Sequence, residues 1–170
     1  MIKQWIGKHL YTILSKPVGY SIRRRYVLKA ISKLSPCGKF ILDAGCGSGG
    51  LAFSLSLKYP SARIIGIDID AVCYQTCLRR KSTLGLDNID FKLRSLTEEL
   101  GNNSYDIVYC VDVLEHIRED LKALSNIYKA LKPGGYLLIH VPLREKDYVF
   151  KKIYLFPKQE DHVREGYTPK

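Results

Sequence analysis

Residues 40–50 read FILDAGCGSGG: an apolar run ends at Asp43-Ala44 and opens into Gly45, Gly47, Gly49 and Gly50. A short apolar run bounded by turn residues predicts a buried strand over Phe40–Ala44. The glycines predict a tight turn whose backbone can approach a ligand closely. A helix over Gly50–Lys58 follows, closed by Tyr59-Pro60. Strand, glycine turn and helix in that order mark the first unit of an open α/β sheet.

The same alternation continues outward. Arg63–Asp68 reads as a second strand and Ala71–Leu84 as a helix stopped by Gly85. Ile89–Arg94 reads as a third strand and Tyr105–Val111 as a fourth. Ile117–Leu131 reads as a helix with Leu121, Leu124, Ile127, Tyr128 and Leu131 toward the sheet. Lys132-Pro133-Gly134-Gly135 is a stop and turn before a fifth strand, Tyr136–Val141. Strands alternating with helices predict a doubly wound, mostly parallel sheet covered on both faces. The expected strand order is 3-2-1-4-5, with the ligand at the switch point between strands 1 and 4.

Upstream lies a different composition. Residues 1–42 hold nine Lys or Arg and no Asp or Glu, whereas the rest carries 18 basic and 17 acidic residues. The net charge of +10 therefore belongs to an N-terminal arm. Two helices are expected there, one over residues 2–14 and one presenting Val27, Ala30, Ile31 and Leu34 on a face. The expected organisation is a basic helical arm, residues 1–35, followed by one domain, residues 36–170. Such an arm points to an acidic partner, with an anionic membrane surface expected. Its aromatic residues come with no recognisable nucleic-acid-binding module, so nucleic acid is not the expected partner.

No apolar run reaches the roughly 20 residues that span a bilayer, and the N-terminus lacks a secretory signal pattern. Five cysteines, none in a C-x-x-C pair, fit a reduced cytoplasmic setting, with the arm peripheral on the inner membrane face. Cys73 and Cys77 alone do not make a zinc site.

The chemistry sits at the carboxyl ends of the strands. Gly45, Gly47 and Gly50 satisfy the dinucleotide pattern G-x-G-x-x-G, so a nicotinamide-dependent oxidoreductase is one reading. Asp43 argues against it, because a carboxylate at the strand tip repels a pyrophosphate and favours a cationic amino group. Asp68, 25 positions on, suits the hydroxyls of a ribose, and Ile69 could pack on an adenine ring. If residues 112–116 turn helically, Asp112, Glu115 and His116 share one face and could hold a divalent cation such as Mg²⁺. The alternative is that they cap the next helix and order the loop. His116, His140 and His162 all fall at or after the carboxyl edge. His116 is the first candidate for a general base and His162 the second.

The segments ILDAGCGSGG, IIGIDID, YDIVYCVDVLEHI, LKPGGYLLIHVP and DHVREGYTP, taken together, resemble the successive motifs of class I S-adenosylmethionine-dependent methyltransferases. They are similar in particular to the group that includes the ubiquinone-pathway O-methyltransferases. The resemblance spans roughly residues 25–170. It implies S-adenosylmethionine as cofactor, with Asp43, Gly45, Cys46, Gly47 and Gly49 around its methionine and sugar parts. It further implies Asp68 at the ribose, Ile69, Ser95 and Leu96 around the adenine, and Val111 at the strand end. Ser95 stands where such enzymes often carry Asp. The resemblance implies methyl transfer to a small-molecule or lipid-linked acceptor, oxygen favoured, with the basic arm as a lid. A non-catalytic cofactor-binding or partner subunit is the alternative. Some quinone-pathway members use a metal near the phenol.

Thr168-Pro169 reads as the start of a helix. The resemblance implies a further helix and two strands beyond it. The domain is thus expected to be C-terminally incomplete, leaving the fifth strand as an edge open to self-association.

Overall fold

The computed structural model describes residues 18–142 and Tyr167. The chain divides into two units, Met1–Ser35 and Pro36–Lys170. In the first, helix α1 spans Val18–Ser32. It buries Val27 and Ile31 and exposes Arg24, Arg25 and Lys29, the segregation that its spacing predicts. The expected helix over residues 2–14 lies outside the described residues.

In the second unit the order is β1 (Phe40–Ala44), α2 (Gly50–Lys58), β2 (Arg63–Asp68), α3 (Ala71–Leu84), β3 (Ile89–Leu93), β4 (Tyr105–Val111), a 3₁₀ turn (Leu114–His116), α4 (Asp120–Ala130) and β5 (Leu131–His140). The strands form one sheet in the order β3-β2-β1-β4-β5, and every pairing is parallel. This is the expected doubly wound topology. The central strands are buried along their length: Ile41, Leu42 and Ala44 of β1, and Ile107, Val108 and Cys110 of β4, are fully enclosed. That burial is what a parallel sheet covered on both faces requires.

Local chemistry explains the boundaries. Asp70 caps α3 by accepting the Val72 and Cys73 N–H groups, and Gly85 ends it in the left-handed conformation. The Asn88 side-chain amide donates to the carbonyls of Ser56, Tyr59 and Ala62 at 3.1–3.2 Å. It thereby ties the end of α2 to the start of β3. On β2, a side chain at Gly66 would meet the Phe91 ring at 2.7 Å and the Cys46 sulfur at 3.0 Å. Only glycine leaves room there for Phe91 to pack on Phe53, with ring centroids 5.2 Å apart.

Two expectations are corrected. The helix after β4 begins at Asp120, not Ile117, because a 3₁₀ turn takes up residues 114–116. Its buried stripe runs Asp120, Ala123, Ile127 and Ala130, while Leu121 and Tyr128 are 77% and 78% exposed. Small alanines let the helix lie close to the sheet, which rotates the larger Leu121 and Tyr128 outward. The second correction concerns β5. Its ladder runs from Leu131, with four residues, Lys132–Gly135, set against Asp106 alone. Asp106 organises this bulge: its carboxylate accepts the Phe40 N–H at 2.8 Å and pairs with the Lys132 ammonium at 2.9 Å. Burial works against its charge, but Lys132 and the Phe40 amide hold the carboxyl below its ordinary value.

β5 is the last strand of the sheet among the described residues. Tyr167 lies beyond it; its N–H donates to the Pro142 carbonyl at 3.0 Å and its hydroxyl to Asp120 at 2.9 Å. No described helix is long and apolar enough to cross a membrane.

Candidate functional site

The carboxyl ends of β1, β2 and β4 meet at the glycine turn. Gly45, Gly47 and Gly49 all take positive φ, at 84°, 50° and 74°, a region that side-chain-bearing residues enter at a cost. A Cβ on Gly45 would fall 2.3 Å from a Val113 methyl carbon, and one on Gly49 would fall 2.8 Å from the Phe53 ring. The turn is strapped to β2: the Gly45 and Cys46 N–H groups both donate to the Ile67 carbonyl, at 2.8 and 2.9 Å.

Asp68 then bridges the turn to the following helix. One carboxylate oxygen accepts the Gly47 N–H at 2.6 Å and the other the Asp70 N–H at 3.0 Å. A carboxylate offers about four lone-pair sites, so each oxygen keeps capacity for a further donor. This suits a residue that is to receive the hydroxyls of a ribose.

Asp43 is only 4% exposed. Burial pushes its carboxyl up to about 7, and neighbouring Asp68 adds to the rise, while the Tyr109 hydroxyl and the Ala52 N–H pull it back. Cys110, behind it on β4, is raised to about 12 by burial and by Asp43, Glu115 and Asp112. Asp43, Asp68, Asp112 and Glu115 thus gather four acidic side chains at this end of the sheet. An acidic lining opposes a pyrophosphate and favours a ligand with a cationic centre. The residues present therefore fit S-adenosylmethionine, which carries a sulfonium and an ammonium.

Asp112 adopts φ 56°. From that conformation its carboxylate meets His140 Nδ1 at 2.7 Å, and its N–H donates to the His140 carbonyl at 3.0 Å. The expected cation site is not assembled. A left-handed residue at 112 breaks the helical relation that would place Asp112, Glu115 and His116 on one face. Among the described residues no three His, Cys, Asp or Glu side chains are grouped to hold a metal. Of the alternative, the capping half does not hold, since the next helix starts at Asp120 and no side-chain cap bond is made there, whereas Asp112 does order the loop through its two bonds to His140. Glu115 is instead buried, at 1% exposure.

Around the expected adenine position, Ile69 is 72% exposed at the tip of β2. The Ser95 hydroxyl accepts the Thr97 N–H at 3.1 Å and shares a 2.7 Å bond with the Thr97 hydroxyl. The Leu96 side chain lies in the core cluster with Leu100, Val108 and Ile127, and its carbonyl accepts the buried Asn126 side-chain amide at 3.1 Å. Val111 ends β4 directly before Asp112. His116 closes the 3₁₀ turn, and His162 lies outside the described residues.

Tyr109, Val113 and Cys77 are parts of this site that sequence reasoning missed. Tyr109 reads in the sequence as one more aromatic strand residue, and Val113 as part of a helix start. Nothing local announces that they meet Asp43 and Gly45. His140 was legible as a strand-end histidine, but its pairing with Asp112 was not.

Comparison with known proteins agrees with this geometry. The methyltransferase-domain family matches residues 37–161. The chain is 30% identical over 146 residues to an uncharacterized methyltransferase of Schizosaccharomyces pombe, covering 81% of this chain and 48% of that one. It is 31% identical over 133 residues to the ubiquinone biosynthesis O-methyltransferase of Vibrio cholerae, covering 76% and 52% respectively. The solved structure of Haemonchus contortus phosphoethanolamine N-methyltransferase 2 in complex with S-adenosyl-L-methionine superposes with a TM-score of 0.63 at 28% identity, covering 69% of this chain and 28% of that one. The chain spans about half the length of the first two relatives.

Proposed function

Because the chain belongs to the S-adenosylmethionine-dependent methyltransferase family, we propose that it transfers a methyl group to the hydroxyl of a small-molecule or lipid-linked acceptor. The observation that carries the oxygen preference is the Asp112–His140 pair. When bound, S-adenosylmethionine supplies an electrophilic methyl carbon and a good leaving group. The chain's own residues do the rest. Asp68 and the glycine turn seat the sugar end, and Asp43 faces the cationic end. With Nδ1 held by Asp112, His140 keeps Nε2 as its basic nitrogen, and Nε2 takes the acceptor's hydroxyl proton. A phenol or alcohol needs that proton removed as its oxygen is methylated.

The acidic cluster of Asp43, Asp68, Asp112 and Glu115 favours a second acceptor class, an amine, which binds as the ammonium and gives up its proton before its nitrogen is methylated. A methyl-label transfer screen against cell extracts, followed by hydroxyl and amine acceptors run separately, distinguishes the two. Transfer to amines alone would overturn the hydroxyl reading. Binding of S-adenosylhomocysteine without transfer to anything would leave a non-catalytic cofactor-binding subunit. Asp43→Ala and Asp68→Ala are each expected to remove most of the cofactor-induced rise in melting temperature.

For partners, the nine positive charges of residues 1–42 support weak, salt-sensitive binding to anionic lipid at the membrane surface. Vesicle sedimentation with and without residues 1–16 tests it. Tyr136, Leu137 and Ile139 on β5 are 50%, 38% and 41% exposed, which supports self-association through that strand. Ile139→Lys should then reduce the associated fraction in light scattering.

A further inference from the structure

Two thiols converge under the glycine turn. Cys46 belongs to the turn itself, and Cys77 comes from the middle of α3. Both sulfurs approach one acceptor, the Gly47 carbonyl, at 3.6 Å for Cys46 and 3.3 Å for Cys77. Sharing that acceptor places the two sulfurs side by side beneath the turn. Cys77 is fully enclosed, whereas Cys46 keeps partial access to solvent. The pair is packed into the loop: a Cβ on Gly49 would meet the Cys77 sulfur at 3.0 Å, and one on Gly66 would meet the Cys46 sulfur at 3.0 Å. Gly47 itself donates to the Asp68 carboxylate.

We propose that Cys46 and Cys77 form a peroxide-sensitive thiol pair whose oxidation to a disulfide closes the cofactor site. The inference rests on the glycine turn being the cofactor seat. All five described cysteines are free thiols, so the reduced form is the one in hand. A disulfide has a sulfur–sulfur distance of about 2.05 Å, well inside the contact distance of two free thiols. Closing that gap requires the turn to move toward α3. Gly47 moves with it, and the Gly47–Asp68 bond that positions the ribose acceptor is lost.

Access sets the order of the reaction. Cys46 keeps contact with solvent and meets peroxide first, and enclosed Cys77 is the resolving thiol. Cys46 sulfur attacks one oxygen of hydrogen peroxide, and its proton passes to solvent. The O–O bond breaks, and the departing hydroxide takes a proton from solvent to become water. This leaves a sulfenic acid on Cys46. Cys77 sulfur then attacks Cys46 sulfur, the S–O bond breaks, and the departing hydroxide takes the Cys77 proton as a second water. The two sulfurs are oxidised by two electrons in total and the peroxide is reduced by two. In a reducing compartment, a disulfide of this kind is transient and serves as a sensor.

The experiment treats the full purified chain with hydrogen peroxide and maps disulfides by mass spectrometry without reduction. In parallel, it measures S-adenosylhomocysteine binding by calorimetry. The expected product is a peptide pair joined through Cys46 and Cys77, with affinity reduced by at least about tenfold and restored by dithiothreitol. Cys77→Ala should show the same S-adenosylhomocysteine affinity with and without peroxide, whatever its level before treatment. Cys73→Ser should still form the link, and this arm serves if Cys77→Ala proves unfolded by circular dichroism. Absence of the Cys46–Cys77 peptide, or its formation with unchanged affinity, overturns the proposal. Failure of the reduced wild type to bind S-adenosylhomocysteine would instead overturn the cofactor-seat reading, whatever the disulfide map shows.

Discussion

Asp112 and His140 are joined twice: side chain to side chain at 2.7 Å and backbone N–H to carbonyl at 3.0 Å. The double link crosses from the end of β4 to the end of β5, and it fixes the imidazole at the carboxyl edge of the sheet. His140→Ala is expected to lower methyl transfer to a hydroxyl acceptor by roughly 10²-fold or more. S-adenosylhomocysteine affinity should stay within about twofold of the wild type. Asp112→Asn should lose a comparable amount, because an amide no longer enforces the tautomer that leaves Nε2 basic and does not stabilise the charged ring. A His116→Ala variant that loses more activity than His140→Ala would move the base to the 3₁₀ turn.

Asp43 makes stability and cofactor affinity respond to pH in opposite senses. Its carboxyl is raised from 3.8 to about 7 in the folded chain, so the folded state holds the proton more tightly than the unfolded one. That contribution to stability is complete below about pH 4 and is lost as pH rises through about 7. Asp43→Asn, neutral throughout, should therefore melt at a higher temperature than the wild type at pH 8 and close to it at pH 5. A cationic ligand prefers the ionised carboxylate. Wild-type affinity for S-adenosylhomocysteine should fall below pH 7 by up to about tenfold per unit, and Asp43→Asn should be weak and flat. A wild-type affinity independent of pH between 5 and 8 would remove Asp43 from contact with the charged group.

Gly45 faces two separate obstacles to substitution. Its φ of 84° costs a side-chain-bearing residue about 1–2 kcal/mol, and its added Cβ would overlap Val113 at 2.3 Å. Gly45→Ala should lower the melting temperature and abolish the cofactor-induced shift. Adding Val113→Ala removes the two overlapping methyl carbons but leaves its Cβ at 3.0 Å and the backbone strain in place, so it should recover only part of the lost stability. Full recovery would show that the left-handed backbone contributes nothing.

Chelator should leave methyl transfer intact. Among the described residues no metal-holding group is assembled, and Asp112 is engaged with His140. Activity assayed with excess chelator and with added Mg²⁺ is expected to agree within error. Loss under chelator, restored by Mg²⁺, would require Asp112 to leave His140 on metal binding.

Much of this architecture follows from local pattern. The bounds of β1, α2, β2, α3 and β4 match their periodicity and punctuation residue for residue, because Gly, Pro and Asp set turns and caps through interactions within a few residues. The chirality of parallel crossovers narrows the possible strand orders, and the succession of family motifs selects 3-2-1-4-5. Asp43, the glycines and Asp68 lie in a single strand–turn–helix–strand unit, so they too were legible, and the order of the motifs placed the chain in its family. Tertiary packing decided the rest. The extent of α4 depends on which stripe of small residues lies closest to the sheet, and Leu121 and Tyr128 lost that competition to Ala123 and Ala130. Asp112 left the helical face because the φ of 56° turns it to a histidine 28 positions away. Cys46 found Cys77 only once α3 had folded back beneath the turn. A contact between residues far apart in the chain depends on the three-dimensional path between them, and no local propensity encodes that path.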